Sequence, residues 1–489
     1  MRYRRPKLYE DVLLAIMDVC PPAAIARLMR TCRMLYQAGP KRLLATGPYI
    51  GDSESPDGSD WFLRSFCLFL LAERCSRFRY LSQLHIGVTW IAHREVADMF
   101  HECVLRMSHL EVLSFVADLG ALLDYHPGFV DAFARLPRLK HLSISTRGKA
   151  CYPMLKRMRP RLVSVSLRLW RDKDDDDLDR LPDMNPVTLF VHSKDTLERL
   201  KCDTWEAFRV FKGSPQYPAM RHLTIDCEVL PATTTLVRAY PNLTHLHINW
   251  TDLDSPAAMP QYLEALERRH LENVQAQNRM GRWSALEELE GSLEAIYAMG
   301  LTCNVERLLP RGVTQEADLI MLDRVVNVMC PTHLQLWTLA ECFGEGPFGI
   351  PSILQKPASV RLKSLDIDLD FHHNAHPETP IAQYLALLIQ TLRNLPALEM
   401  LEVKISASRF VKRSEGNPTK AFPNGSAGTY LRDFPLKAYA DSLLNMVHSL
   451  RSISLQLSGL PNPKGNGVTI TRASWDAERV VSVSRLWEY

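Results

Sequence analysis

A short pattern of hydrophobic and polar positions recurs along most of the chain. An apolar residue is followed by two variable positions, a second apolar residue, one variable position and a third apolar residue. Such hexads begin at Leu81, Leu110, Leu139, Leu162, Leu197, Met220, Leu243, Leu362, Leu398 and Leu450. The hexads that start at 81, 110 and 139 are spaced by 29 residues. Those that start at 197, 220 and 243 are spaced by 23 residues. Alternating apolar positions predict a short β-strand at each hexad.

The segments between the hexads have the periodicity of helices. Apolar residues recur at spacings of three and four before two hexads, at Val96, Met99, Phe100, Cys103, Val104 and Met107, and at Ile381, Tyr384, Leu385, Leu388, Ile389 and Leu392. Proline precedes several hexads, as at 136–139, 159–162, 240–243 and 395–398, and proline ends a helix. Each repeat is therefore predicted to contain a helix, a residue that ends it and a short strand. This predicts an α/β fold with a parallel sheet on one side and helices on the other.

This repeat resembles the leucine-rich-repeat solenoid over roughly residues 80–460, because its spacing matches the family's period of about 20–29 residues. The family's usual Asn or Cys after each hexad is replaced here by Thr89, Asp118, Glu228 and Thr251. We predict leucine-rich repeats over 80–253 and 359–460, with a polar insertion at 411–436 and a C-terminal cap at 461–489. Residues 254–358 contain either weak repeats (Leu286/Leu289 and Val305/Leu308) or an inserted helical section.

The first 50 residues have a separate, helical pattern. One apolar stripe contains Val12, Leu13, Ile16, Met17 and Cys20, and the pair Pro21-Pro22 breaks it. A second stripe contains Ile25, Leu28, Met29 and Cys32, and a third segment runs to Gly39-Pro40. About 40 residues bury too little surface to be stable alone, so their apolar faces should pack on something else. Residues 51–79 are predicted as a linker and N-terminal cap, with a loop at 51–60.

This small all-α module resembles the F-box. The matching positions are Leu8, Asp11, Val12, Leu13, Ile16, Leu28, Cys32, Arg33 and Tyr36, while Tyr9 and Tyr36 replace the usual proline and a frequent tryptophan. The resemblance implies that the module docks on a Skp-type adaptor and through it on a cullin. It assigns adaptor binding to Leu8, Val12, Leu13, Ile16, Ile25, Leu28 and Tyr36. The chain would then be a substrate-recognition subunit of a ubiquitin ligase; a leucine-rich-repeat scaffold without a ligase is the alternative.

The third and fifth hexad positions are predicted to point away from the core. They are polar and carry both signs of charge, which indicates a surface for an unknown protein substrate and not the basic stripe of a nucleic-acid-binding protein. Candidate substrate-binding residues are His85, His141, Arg199, Lys201, His222, His245 and His247. No carboxylate or cysteine accompanies these histidines at ligand spacing, so we expect solvated side chains and no metal site. The cluster His372, His373 and His376 resembles a metal site equally weakly.

Composition narrows the function classes. The 489 residues are 46% hydrophobic and 23% charged, and the net charge of +3 provides no general attraction to nucleic acid. No apolar run approaches the roughly 20 residues of a membrane helix. The eleven cysteines are scattered without a CxxC pair, and acidic residues interrupt the N-terminal apolar segment, so we expect a cytoplasmic or nuclear protein. Catalytic and phosphate-binding motifs are absent, which favours a non-enzymatic protein without cofactors.

Overall fold

A computed structural model describes most of the chain. The described residues are 9–51, 56–147, 150–170, 185–203, 214–227, 230, 232–250, 259–343, 349–370, 380–406, 411–414, 417–423, 425–458, 467–471 and 480–482. The chain divides into two compact units. The first contains Met1–Asp226 and Arg238–Asn242, and the second contains Cys227–Val237 and Leu243–Tyr489.

The first unit begins with helices and continues with alternating strands and helices. Its helices are α1 (Glu10–Asp18), α2 (Pro22–Leu28), α3 (Arg33–Ala45), α4 (Pro56–Cys75), α5 (Arg94–Arg106), α6 (Leu119–Tyr125), α7 (Gly128–Ala134), α8 (Cys151–Arg157) and α9 (Pro186–Leu189). Its strands are β1 (Tyr49–Gly51), β2 (Gln83–Gly87), β3 (Val112–Asp118), β4 (His141–Arg147), β5 (Ser164–Trp170), β6 (Arg199–Asp203) and β7 (His222–Cys227). These strands pair in parallel, each with the next one in the chain.

The second unit repeats this arrangement. Its helices are α10 (Thr233–Ala239, divided between the units), α11 (Met259–Met280), α12 (Leu293–Ala298), α13 (Glu316–Met329), α14 (Ile350–Leu354), α15 (Ile381–Leu392), α16 (Gly425–Arg432) and α17 (Leu436–Met446). Its strands are β8 (His245–Trp250), β9 (Ala285–Ser292), β10 (Asn304–Arg311), β11 (His333–Leu339), β12 (Ser364–Asp370), β13 (Met400–Ser406), β14 (Val411–Ser414), β15 (Asn417–Pro423), β16 (Ser452–Ser458), β17 (Gly467–Thr471) and β18 (Val480–Ser482).

Parallel pairing in this unit runs from β8 through β13 to β16, and β17 and β18 add antiparallel strands after it. Strands β14 and β15 form a separate antiparallel pair inside the predicted polar insertion. Short 3₁₀ turns occur at Ser76–Tyr80, Val191–Ser193, Ala340–Phe343 and Pro357–Arg361. The predicted α/β class with a largely parallel sheet is confirmed.

The hexads form the core of both units. The first, fourth and sixth residues of all ten hexads are at most 4% exposed, the highest value being that of Leu200. Their fourth positions pair across neighbouring strands in one row per unit. The row of the first unit is Leu84, Leu113, Leu142, Val165, Leu200 and Leu223, and that of the second is Leu246, Leu289, Leu308, Leu334, Leu365, Leu401 and Ile453. Strand alternation places the variable positions on the opposite face.

A backbone contact repeats with the same period. The carbonyl oxygen of the second hexad residue accepts two N–H groups from the start of the next repeat, at 2.7–3.1 Å. Acceptors are Ser82, Glu111, Lys140, Val163 and Glu198 in the first unit, and Thr244, Thr332, Lys363 and Glu399 in the second. Successive repeats are therefore joined before the sheet ladder begins, which satisfies backbone groups at the turn.

Residues 254–358 contain both features considered for them. The weak repeats at Leu286/Leu289 and Val305/Leu308 lie on β9 and β10, in register with the other strands, and α11 is a 22-residue helix that precedes them. Strand β11 follows in the same series. Its hexad is hard to recognise in the sequence because the first position, just before the strand, is Pro331.

Two segments predicted as loops contain regular structure. Helix α4 begins at Pro56, inside the predicted loop 51–60, and the polar insertion contains β14, β15 and α16. The acidic segment 171–180 lies outside the described residues. Our domain boundaries remain a prediction.

Candidate protein-binding surfaces

The three N-terminal helices share a small apolar core. Met17, Ile25, Met29 and Leu35 are buried together, and Leu13 and Leu28 pack against them, as does Phe69 of α4. Pro22 stands in the first turn of α2, where its missing N–H has no intrahelical partner to lose. The core is small, so contact with α4 adds apolar surface that the three helices alone lack.

Helix α1 keeps a second apolar stripe on its exposed side. Tyr9, just before the helix, is 82% exposed, Val12 41%, Ile16 39% and Val19, just after it, 84%. Their spacing of three, four and three residues puts them on one face of a helix. A contiguous apolar stripe exposed on a helix marks a candidate contact with another molecule.

The residues assigned to adaptor binding are divided between this stripe and the core. Val12 and Ile16 are on the exposed stripe, whereas Leu13 and Leu28 are partly buried against the core. Ile25 is only 4% exposed, so in this structure it supports the module and offers almost no surface to a partner. Leu8 lies outside the described residues.

Tyr36, the last of the assigned residues, is held in place by an arginine from the 3₁₀ turn Ser76–Tyr80. The Arg77 Nη2 donates to the Tyr36 hydroxyl at 2.7 Å, and the guanidinium carbon lies 5.1 Å from the Tyr36 ring centroid. Arg77 also donates to the Phe69 carbonyl at 3.0 Å and lies over the Phe69 ring. This buried arginine therefore connects the N-terminal helices to α4 and orients Tyr36, which remains 39% exposed.

The outward face of the first unit carries five of the candidate substrate-binding residues. His141, Arg199 and Lys201 are exposed, and His85 and His222 are half-buried. Arg199 pairs in register with Ser164 on one side and His222 on the other. The Lys201 ammonium lies 3.8 Å from Asp203, and the Arg168 guanidinium lies 3.3 Å from the same carboxylate.

Asp118, which replaces the usual Asn or Cys after its hexad, accepts hydrogen bonds from two backbone N–H groups. Its Oδ1 accepts from the Arg147 N–H of the next strand at 2.8 Å and from the Gly120 N–H at the start of α6 at 2.9 Å. One carboxylate thus joins two repeats and caps a helix, as an Asn side chain at this position would.

In the second unit, our expectation for the histidines needs a correction. The His247 Nδ1 lies 3.0 Å from the Glu290 Oε2, and the Asn249 side-chain amide lies 2.8 Å from the His247 Nε2. Glu290 is 43 positions further along the chain, but strand pairing places it directly beside His247. A carboxylate therefore does accompany His247, so this half-buried histidine is not simply solvated.

Glu290 also forms an ion pair with Arg311. Burial alone would raise the pKa of Glu290, but the hydrogen bond and charge of His247 and the charge of Arg311 lower it below its ordinary value. His245 contacts Glu287 more loosely, at 3.9 Å. The outward face of β8–β10 is thus a network of compensated charges.

The described residues contain no obvious centre for chemistry. Within that part of the chain, no group of three His, Cys, Asp or Glu side chains is arranged to hold a metal ion. His372, His373 and His376 lie outside it. No disulfide joins the eleven cysteines, all of which the structure describes. Burial raises the pKa of the Cys151 thiol to about 12 and that of Cys303 to about 11, so both thiols stay protonated at neutral pH.

Comparisons with known proteins do not assign the chain to a family. No protein-family model matches the chain. No curated protein matches its sequence. In the described part of the chain, no helix combines the length and the apolar character that crossing a bilayer requires.

Proposed function

We propose that this chain is a non-catalytic substrate receptor of a Skp/cullin/F-box ubiquitin ligase, with the N-terminal helices docking on the adaptor and the repeats binding a protein substrate. The observation that carries the proposal is the exposed apolar stripe of α1, which contains Val12 and Ile16 of the F-box resemblance. Other subunits would perform ubiquitin transfer, so the chain contributes binding alone.

The stripe supports the proposal because its residues are not part of the small core that holds the three N-terminal helices together. Met17 and Ile25 already form the core on the inner side of α1 and α2. Fully burying an aliphatic side chain contributes roughly 1.5–3 kcal/mol, so covering the exposed two-fifths of Val12 and Ile16 with an adaptor would contribute about 0.6–1.2 kcal/mol at each residue. Arg77 holds Tyr36, another residue of the F-box resemblance, in a defined orientation.

The outward sheet faces support the second half of the proposal. They carry charged, polar and some exposed apolar side chains on parallel strands, and rigid strands hold such groups at defined spacings. Repeat proteins of this architecture use the sheet face to bind partners.

The test is an adaptor pull-down with the full chain and purified Skp-type adaptor. We expect the Val12→Asp/Ile16→Asp double variant to lose at least about tenfold in adaptor recovery, because two charges would have to be buried in an apolar contact. Leu13 is not substituted in this test because it packs on the core, and a charge there would unfold the module. Cullin should co-purify with wild type in the same experiment.

The matched control is Leu105→Asp/Val360→Asp, which introduces the same two charges at aliphatic residues that are 51% and 49% exposed elsewhere. It should recover as much adaptor as wild type. Absence of adaptor enrichment by wild type would overturn the proposal in favour of a scaffold without ligase association. If the Val12→Asp/Ile16→Asp variant recovers as much adaptor as the control variant, the α1 stripe is not the docking surface.

A further inference from the structure

The outward side of strands β11, β12 and β13 carries an exposed tryptophan among carboxylates. Trp337 on β11 is 39% exposed and pairs in register with Asp368 on β12. Asp366 and Asp370 occupy the outward positions before and after Asp368, and Glu402 on β13 pairs with Asp366. Neighbouring strands lie about 4.8 Å apart, so these side chains share one surface, which we call the β11–β13 face.

Ion pairing on this side of the second unit is incomplete. Three glutamates on this side have cationic partners: Glu288 pairs with Arg307 at 2.9 Å, Glu402 with Lys404 at 3.2 Å, and Glu290 with Arg311. The three aspartates of β12 form no ion pair with any residue that the structure describes. Lys404 pairs in register with Asp368 and is the nearest cation to the row. The three aspartates and Glu402 outnumber it, so negative charge on this face is only partly compensated beside the indole of Trp337.

Two of these aspartates, Asp366 and Asp368, have a raised pKa. Burial raises the pKa of Asp366, and the negative charge of Glu402 raises it further. Burial also raises the pKa of Asp368, where the charge of Lys404 opposes the rise and Asp370 adds to it. At Asp366 the charges of Lys404, Arg307 and His333 oppose the rise. A partner that brought positive charge to this face would relieve the repulsion, whereas an anionic partner would increase it.

The tryptophan indicates which kind of cation fits. An exposed indole offers its ring face to ammonium and guanidinium groups, and it also packs against their aliphatic stems. A small inorganic ion would use the carboxylates and leave the exposed indole without a contact. Lysine and arginine side chains combine the charge and the apolar stem that this face accommodates.

We propose that the β11–β13 face binds a lysine- or arginine-bearing extended segment of a protein partner, with a cationic group held over the Trp337 indole and against the carboxylates of Asp366 and Asp368. The inference deepens the proposed function, on which it rests for the partner's identity as substrate. Binding of the segment itself requires no adaptor.

The experiment measures fluorescence anisotropy of fluorescein-labelled hexalysine and hexa-arginine with the full chain, without adaptor, at low ionic strength. Hexaglutamate is the negative probe. We expect Asp366→Asn/Asp368→Asn to weaken binding about three- to tenfold, which corresponds to two partly exposed ion pairs. Trp337→Ala should weaken it about two- to fivefold through loss of the cation–π contact.

The matched control is Glu264→Gln/Glu272→Gln on α11, which removes two exposed carboxylates and changes the net charge equally. Its affinity should stay within about twofold of wild type. Thermal unfolding checks that each variant is folded, and the asparagine double variant should be no less stable than wild type because it removes repulsion.

Absence of binding by wild type, or equal losses in the aspartate and control variants, would overturn the inference. These outcomes are separate from the adaptor pull-down. A chain that binds the cationic probes but not the adaptor would contradict only the ligase association, and one that binds the adaptor but not the probes would contradict only the substrate class.

Discussion

The assignment of inward and outward strand positions can be tested at two adjacent residues of β8. Leu246 is 1% exposed and pairs with Leu289 in the row of fourth hexad positions. Leu246→Ala removes three carbon atoms from the core, which costs about 2 kcal/mol in transfer free energy. The cavity that remains brings the expected loss of unfolding free energy to about 2–5 kcal/mol.

His245 is the control because its side chain points to the opposite face. Its ion pair with Glu287 is long and partly exposed, at 3.9 Å, and such pairs contribute about 0–1 kcal/mol. His245→Ala should therefore cost less than about 1 kcal/mol. The assay is urea denaturation followed by circular dichroism, with free-energy differences taken from the midpoint shift and slope. Comparable losses for both variants would refute the face assignment.

Three further predictions concern backbone and charge. Gly291 has φ of 154° and an added Cβ would lie 1.7 Å from the Ile248 carbonyl oxygen, whereas Gly281 (φ 101°) has nothing within 4 Å. Gly291→Ala should therefore lower the thermal midpoint clearly more than Gly281→Ala, and equal shifts would contradict this. Asp118→Ala should cost about 0.5–2 kcal/mol in urea denaturation. Asp118→Asn should cost much less because the amide oxygen still accepts, and equal losses would mean that the negative charge is required. Since the pKa of Glu290 is lowered in the folded state, its stabilisation is present above the unfolded pKa of about 4.3 and is lost as the pH falls through the folded value. Glu290→Gln should accordingly be less stable than wild type at neutral pH and converge with it in acid; a constant difference across pH would contradict the assignment.

The repeat architecture could be predicted because it depends on short-range patterns. A strand with a buried face must alternate apolar and variable residues, and a helix packed on it must repeat every three to four residues. The hexads at Leu110 and Leu398, with the helical segments before them, satisfy both conditions locally, and the core positions of these hexads could therefore be predicted. At Pro331 the local pattern fails, so β11 and its exposed Trp337 could not be found from the sequence.

The surface of α1 shows a second limit. Val12, Leu13, Ile16 and Met17 are all aliphatic or thioether side chains, and their order along the helix does not say which of them face inward. Packing against α2 and α3 decides this, since Met17 enters the core while Val12 and Ile16 remain on the exposed side. Helix periodicity predicted one apolar stripe on α1, whereas in the structure its apolar residues are divided between a buried face and an exposed face.

What the sequence by itself determined is the strand core, the helix–strand alternation and the N-terminal helical module. What only the tertiary structure decided is which polar side chains meet. Glu290 reaches His247, and Asp368 reaches Trp337, across strands separated by a helix and its loops. The physical reason is that the side chains of one repeat fill its own core, whereas contacts between outward side chains depend on strand register, which is set by the packing of complete repeats against one another.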